Sequence, residues 1–185
     1  MKTNNPQWVL TALFLSGSFI SAIALAAETP LGKAYQFDYM EVGAVYLQAV
    51  TMEPNQKNMV SNPDIHLELD IHALKGNTNG FGVGEWIPYL SVDYTLTKIN
   101  SSWKQEGKLI PMVANDGPHY GLNVKLDGPG QYHVRFHINP PIGSTKNPNI
   151  LYRHTDKETG VDPWFSSFDK EWDFTYLGTG KKGGY

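Results

Sequence analysis

The segment from Asp64 to His72 alternates strictly between apolar and ionisable residues. A period of two over such a run is typical of a β-strand that packs one face against a core. The other face carries only residue types that bind metals, namely Asp64, His66, Glu68, Asp70 and His72. Imidazole and carboxylate groups on one rigid strand favour a divalent-cation site, although a solvated polar face is an equally good interpretation of this strand alone.

His66 and His72 lie on the same face of this predicted strand. Six residues separate them, which is roughly 20 Å at the rise of an extended chain. One metal ion cannot bind both side chains in a straight strand. We therefore expect the two histidines to have separate roles.

The first 26 residues have the pattern of a signal peptide. Lys2 supplies the charge, the run from Val9 to Leu25 is mostly apolar, and Ala24-Leu25-Ala26 fits the rule for cleavage after a small residue. We therefore expect cleavage after Ala26, export as a soluble protein, and a mature chain of residues 27–185 that forms one domain. A retained signal anchor is the alternative. No other stretch approaches the roughly 20 apolar residues of a membrane span.

Composition excludes several classes of function. Cysteine is absent, which rules out thiolate metal sites, cysteine nucleophiles and disulfides. The chain has 15 basic and 18 acidic residues, a net charge of −3 and no basic patch of the kind that nucleic-acid binding uses. Sequence motifs of common hydrolases and dehydrogenases are also missing, which disfavours an enzyme without excluding one.

The rest of the chain has the pattern of short strands separated by turns. Alternation returns in Ile87–Ile99 and Gln131–Ile138, and aromatic residues are frequent in Phe165–Leu177 and in Tyr35–Met52. The break at Gly43 in the latter segment indicates two strands joined by a bend or one bulged strand. Beyond the signal peptide no segment predicts a long helix. Seven or eight such strands predict an all-β fold, an immunoglobulin-like antiparallel β-sandwich. The Asp127–Gly130 segment predicts a hairpin turn.

Met112 and His119 flank a predicted turn at Asn115–Pro118. A tight turn can bring a thioether and an imidazole back to one point. Core packing is the alternative role for Met112, and a turn histidine bonded to the backbone is the alternative for His119. His154 lies on a long polar loop before the last strand, where an ordinary surface role is the alternative.

His133 and His137 lie on the outward face of the predicted strand Gln131–Ile138, on either side of Arg135. A cation between two imidazoles disfavours metal binding. We therefore expect both histidines to face solvent without binding a metal.

Three segments carry a family resemblance: Asp64–Asn77, Ile110–Asn123 and Arg153–Val161, with Gly84–Tyr89 between the first two. Together they resemble the periplasmic iron-transport-associated protein family of bacteria, and the resemblance covers residues 34–178. It implies a homodimeric immunoglobulin-like sandwich in the periplasm. It also implies a site near the dimer interface that binds copper and also iron or manganese. The resemblance further implies that the protein functions together with an inner-membrane iron permease.

The resemblance also implies the ligands, which are His66, Met112, His119 and His154, with Glu68 as their acidic neighbour. Imidazoles suit copper, a thioether favours Cu(I), and a carboxylate suits Fe(II) or Mn(II). The segment from Gly143 to Leu151 departs from the family pattern by its length. Whether His154 binds within its own chain or from the partner subunit therefore stays open.

Three functions follow as hypotheses. The first is a non-enzymatic metal-binding protein that works with an iron permease. The alternative is a copper-dependent enzyme that oxidises Fe(II) during uptake. The third is an adhesion or scaffold sandwich whose histidines bind nothing.

Overall fold

The computed structural model describes residues 28–54, 60–144 and 148–180, so the predicted signal peptide lies outside the described residues. Nine strands form within these ranges: β1 Thr29–Pro30, β2 Tyr35–Phe37, β3 Met40–Gln48, β4 Ile65–Ala73, β5 Ser91–Lys98, β6 Lys104–Ala114, β7 Gly117–Val124, β8 Gly130–Asn139 and β9 Phe168–Tyr176. No helix within these ranges is long and apolar enough to span a membrane.

All strand pairs are antiparallel, in the order β1-β3-β4-β7-β6-β5-β8-β9, with β2 also paired to β3. Strand β6 belongs to both layers. Its first half, 104–109, pairs with β5, and its second half, 110–114, pairs with β7. The sheet therefore curls at the middle of β6 and lays β5, β8 and β9 over β3, β4 and β7. The predicted immunoglobulin-like all-β sandwich is confirmed.

Aromatic pairs close the open side of the curled sheet, where β2 and β3 meet β9. The rings of Phe37 and Phe168 have centroids 4.1 Å apart, and those of Tyr35 and Trp172 are 5.0 Å apart in an edge-to-face arrangement. The indole nitrogen of Trp172 also donates to the carbonyl of Lys33 at 3.0 Å. Such pairs add about 0.5–1.5 kcal/mol each beyond the burial of their area.

The core lies between the two layers and is built from alternate side chains of the strands. Fully buried members include Leu67, Leu69, Ile71, Val92, Leu96, Val134, Phe136 and Ile138. Burying one such side chain contributes about 1.5–3 kcal/mol relative to leaving it exposed. The period-two pattern seen in the sequence therefore places β4 and β8 correctly. It also predicts β5, but this strand begins at Ser91 and not at Ile87, because Tyr89 has a positive φ.

Two expectations about turns were wrong. The bend in the first aromatic segment falls at Asp38 and Tyr39, which both have positive φ, and Gly43 lies inside β3. The Asp127–Gly130 segment does not close a hairpin, because β7 and β8 pair in different layers. It is a crossover from one layer to the other.

Tyr120 on β7 anchors the long loop between β4 and β5. Its hydroxyl donates to the carbonyl of Ile87 at 2.7 Å and accepts from the amide of Leu90 at 2.9 Å. The side chain is fully buried. This pair of bonds fixes the loop against β7, on which His119 precedes Tyr120.

Candidate metal centre

The polar face of β4 is buried at its N-terminal end. His66 is 1% exposed and Glu68 is 5% exposed, where the alternation predicts a face open to solvent. Strand β4 lies between β3 and β7, and the segment after β3 and the β6–β7 hairpin flank the two side chains. The expectation of a half-buried strand was therefore wrong at this end, because neighbours distant in sequence cover it.

Strand register brings His119 to the same place. Glu68 pairs with Gly121 on β7, so His119, two residues away along β7, is a diagonal neighbour of Glu68 on the same face. The Nε2 atoms of His66 and His119 each lie 3.4 Å from Oε1 of Glu68. Ligand atoms from all three side chains lie within 4.8 Å of one another.

The two imidazole nitrogens are left without partners. Nε2 of His66 and Nε2 of His119 are buried, and neither has a hydrogen-bond partner among the described residues. Buried polar atoms in folded proteins are nearly always bonded, so two such atoms aimed at one carboxylate require an explanation. Two imidazoles and a carboxylate form a donor set that transition metals bind, and these residues therefore fit a metal ion.

Gly121 keeps the space between the two rings open. A Cβ atom at this position would lie 2.7 Å from Nε2 of His66 and 3.2 Å from Cδ2 of His119. The first distance is shorter than any normal contact of a Cβ atom, so a larger residue would push the rings out of place. The glycine thus preserves the volume at the point where the nitrogens converge.

Asn123 fixes the tautomer of His66. Its Oδ1 accepts from the amide of Val50 at 3.2 Å and lies 2.9 Å from Nδ1 of His66, while its Nδ2 donates to the carbonyl of Val50 at 2.7 Å. The amide orientation is set by the Val50 backbone, so Oδ1 can only accept and Nδ1 of His66 must carry the proton. The lone pair of the ring is therefore on Nε2, which points at Glu68.

Burial controls the charges at this site. Desolvation lowers the pKa of His66 to about 4 and also lowers the pKa of His119. Desolvation, together with the nearby carboxylates of Glu28, Asp70 and Asp116, raises the pKa of Glu68 to about 8. Both imidazoles are therefore neutral at pH 7, as metal ligands must be, and the metal-free site keeps a proton on Glu68.

Met112 lies directly opposite His119 in the register of β6 and β7, across a turn made by Asn115 and Asp116. Residues opposite each other on paired strands project from the same face. Met112 accordingly lines a cavity of about 970 Å³ together with His66, Glu68 and His119. The turn thus places the two residues opposite each other, as the sequence predicts, and both line one cavity.

His154 lies apart from this group within the chain. Its side chain is 74% exposed, its Nδ1 lies 2.8 Å from Oγ1 of Thr159, and it does not line the cavity that holds His66 and His119. Part of the Gly143–Leu151 segment, residues 145–147, lies outside the described residues. The five candidate ligands thus divide into four that share a cavity and one on an exposed loop.

The remaining histidines occupy other surroundings. His72 lines a second cavity of about 400 Å³ with Asp70, apart from His66. His133 and His137 face outward, and their Nδ1 atoms lie 2.7 Å from Asp173 and 2.6 Å from Asp169 respectively. The outward orientation agrees with the prediction, and carboxylates of β9 bond both rings in addition.

Sequence reasoning missed Asn123 and Gly121. A signal for both was present, because His119, Gly121 and Asn123 alternate along one strand and therefore share a face. We had assigned only the first of the three to the site.

Comparison with known proteins identifies the family. Residues 25–178 match the model of a family described as Fe2+ transport protein. The chain belongs to this family. The UPF0423 protein of Brucella abortus is 52% identical over 163 residues, which is 88% of each chain. The 34 kDa membrane antigen of Treponema pallidum is 40% identical over 152 residues, 79% of this chain and 72% of its own.

Solved structures of two relatives share the fold. A copper-bound variant of FetP from uropathogenic Escherichia coli strain F11 is 49% identical, with a TM-score of 0.75, and covers 82% of this chain and 99% of its own. Copper-reconstituted P19 from Campylobacter jejuni is 43% identical, also with a TM-score of 0.75, and covers 84% and 99%. The family resemblance seen in the sequence is confirmed.

Proposed function

We propose that this protein binds copper, and also iron or manganese, in the periplasm and supports iron uptake by an inner-membrane iron permease. The observation that carries the proposal is the pair of unpartnered, buried Nε2 atoms of His66 and His119 that converge on Glu68. Membership of the Fe2+ transport protein family and the copper-bound structures of FetP and P19 support it.

The donor set supports the proposal that more than one metal binds. Imidazole nitrogens suit copper, iron and manganese to different degrees, the thioether of Met112 favours Cu(I), and the carboxylate of Glu68 favours Fe(II) or Mn(II). These donors line one cavity. Such a mixed set lets one site hold a soft or a hard ion with different subsets of its ligands.

A second copy of the chain supplies His154 in this proposal. Exposed apolar side chains flank both halves of the site: Val113, next to Met112, is 78% exposed, and Tyr152, two residues before His154, is 88% exposed. In a two-fold dimer, the surface around Val113 of each subunit can meet the surface around Tyr152 of the other. This contact would bury both side chains and bring the His154 of each subunit to the cavity of its partner.

Export to the periplasm is part of the same proposal. The N-terminal 26 residues have the pattern of a cleaved signal peptide, and the FetP relative was expressed in the periplasm of E. coli. The mature chain would then begin at Ala27. Intact mass of protein released from the periplasm would give that start, whereas recovery only in membranes with Met1 retained would contradict it.

Equilibrium dialysis tests the metal-binding proposal. Metal-free protein is dialysed against Cu(II), Mn(II) and, without oxygen, Fe(II), beside a variant that carries His66→Ala and His119→Ala. We expect tight, stoichiometric Cu(II) binding that the double variant loses and that His133→Ala retains. Equal binding by the wild type and the double variant would reject this site. Iron uptake by cells that carry the double variant then tests the link to transport.

Fe(II) oxidation is the second candidate function. Glu68 and His119 line both the large cavity and the neighbouring cavity, which also contains Glu28, Asp70 and Asp116. A carboxylate-lined cavity beside a copper site would place Fe(II) next to an electron acceptor. The discriminating measurement is the number of Fe(II) ions oxidised per bound copper in air. Many oxidations per copper support an enzyme, and a single one supports a binding protein.

A further inference from the structure

A second methionine faces the cavity of the candidate site. Met52, on the segment that follows β3, lines the same cavity as His66, Met112 and His119. We propose that Met52 supplies a second thioether ligand to Cu(I) bound in this cavity. The inference rests on the proposed copper-binding function and extends it to a ligand that the family resemblance does not include.

The segment that carries Met52 is tied to the same framework as His66. Leu47, near the end of β3, pairs with His66 on β4. Three residues further on, both backbone polar groups of Val50 bond to the side chain of Asn123, at 3.2 and 2.7 Å, and Asn123 also holds Nδ1 of His66. Met52 therefore lies only two residues after Val50, whose backbone is held by the same asparagine that orients His66.

The surroundings of Met52 differ from those of an ordinary core methionine. Among the described residues, Met40 is fully buried in the hydrophobic core, whereas Met52 and Met112 are partly exposed and line the cavity. Methionine usually fills gaps in a core, so a partly exposed one that lines a cavity together with two unpartnered imidazoles needs another explanation. Binding a soft ion is the role that a thioether can perform there.

Charge around the cavity favours entry of a cation. The carboxyl groups of Glu28, Glu53 and Asp116 line it with Met52 and Met112. Acidic side chains raise the local concentration of cations of any hardness. The two thioethers then select among these cations, because Cu(I) binds thioether sulfur strongly and Cu(II), Fe(II) and Mn(II) do not. Met52 should therefore strengthen the binding of Cu(I) and leave the binding of the other ions unchanged.

X-ray absorption at the copper edge measures the ligand directly. The exported protein is loaded with Cu(I) without oxygen, and its sulfur shell is counted in the wild type, Met52→Leu and Met112→Leu. Each of these proteins carries Met59→Leu as a common background, so the reference protein is the Met59→Leu variant and a lost sulfur is assigned to one residue. We expect two sulfurs in the reference protein and one in each variant. Competition with a coloured Cu(I) chelator should show weaker Cu(I) binding by Met52→Leu.

Two controls keep the result specific. Met40→Leu removes a thioether from the core and should leave the sulfur count at two. Cu(II) binding should be the same in Met52→Leu and the wild type, which shows that the imidazole ligands remain in place. If Met52→Leu fails to fold, selenomethionine-labelled protein with Met112→Leu and Met59→Leu decides the question, since a copper–selenium shell then reports Met52.

The outcomes separate this inference from the proposed function. If the wild-type protein does not bind Cu(II) stoichiometrically, the proposed function itself is rejected. Intact Cu(II) binding with one sulfur around Cu(I), or with a sulfur count unchanged by Met52→Leu, would reject only the role of Met52. Absence of the copper–selenium shell in the labelled protein would reject it as well.

Discussion

The side-chain oxygen of Asn123 lies 2.9 Å from Nδ1 of His66 and also accepts the backbone amide of Val50. These bonds determine which ring nitrogen keeps its proton and hold the ring at a fixed angle. The free lone pair on Nε2 is thus oriented toward Glu68 before any metal arrives. Partners of this kind commonly affect metal affinity without touching the metal.

Removal of this amide should weaken metal binding. Asn123→Ala leaves Nδ1 of His66 and the Val50 backbone without their partner, so the ring can rotate and exchange tautomers. We expect about 10–100-fold weaker Cu(II) binding. Nitrogen NMR of the metal-free protein should show a mixture of His66 tautomers. Asn139→Ala, which removes an amide bonded to Ser167 in the other layer, is the matched control and should bind normally. Unchanged affinity in Asn123→Ala would show that the ring is held by other contacts.

Gly121 should tolerate no side chain. Gly121→Ala places a Cβ atom 2.7 Å from Nε2 of His66, so the ring must move or the strands must separate. We expect a loss of Cu(II) binding and destabilisation by about 1–3 kcal/mol, as for other overpacked sites. Urea unfolding of the metal-free protein measures the second effect. Gly43→Ala, also in a strand, has its nearest contact at 3.9 Å and should change neither property.

The sequence predicts those parts of the site that depend on local pattern. Alternation from Asp64 to His72 places His66 and Glu68 on one face, and the turn at Asn115 brings His119 back opposite Met112. Both predictions rest on strand period and turn geometry, which a few residues determine.

Burial of that face could not be predicted from the same pattern. His66 and Glu68 are buried because β7 pairs beside them and the segment after β3 flanks them, and these contacts join residues far apart in the sequence. The role of Gly121 in keeping space for the rings can be recognised only when the distance between a Cβ atom at this position and Nε2 of His66 is known. The position of His154 depends on a loop and, in our proposal, on a second chain, so alternation carries no information about it.

Met112 and His119 should respond differently to the oxidation state of copper. Met112→Leu nearly preserves volume and should spare Cu(II) while it weakens Cu(I), since only the reduced ion strongly prefers a thioether. His119→Ala removes an imidazole from the rigid part of the site and should greatly weaken Cu(II). Anaerobic titration of both variants, with His133→Ala as the silent control, tests this. Equal losses for Cu(I) and Cu(II) in Met112→Leu would assign Met112 to packing alone.

Stability of the metal-free protein should depend on pH through Glu68. Burial raises its folded pKa to about 8 from an ordinary value of 4.5. The folded state therefore keeps a proton that the unfolded state releases between these values, so the stability that Glu68 contributes is complete below pH 4.5 and is lost as the pH rises to 8. His66 acts in the opposite direction, because its pKa is lowered to about 4 from 6.5 and its contribution is lost as the pH falls through that range.

Glu68→Gln separates these two effects, because glutamine does not ionise. We expect the wild type to lose stability relative to this variant as the pH rises from 4.5 to 8, by an amount on the order of a few kcal/mol. Urea unfolding at several pH values with a chelator present measures the difference. Glu158→Gln, on an exposed loop, should follow the wild type at every pH. Parallel curves for the wild type and Glu68→Gln would show that Glu68 is already ionised in the folded protein.

His154 should complete the site of the partner subunit, and mixed dimers can show it. In a dimer of His154→Ala with His119→Ala, the first subunit keeps His66, Met112 and His119 and receives an intact His154 from the second. The other site lacks both His119 and an incoming His154. One tight copper site per mixed dimer is therefore expected, although neither variant alone forms any. If each chain used its own His154, mixing would restore none.

Sedimentation confirms that the mixed species is a dimer, and copper counting on dimers purified with two different tags distinguishes the outcomes. A mixture of His133→Ala with His119→Ala provides the reference value of one, because His133 lies on the opposite layer and binds Asp173.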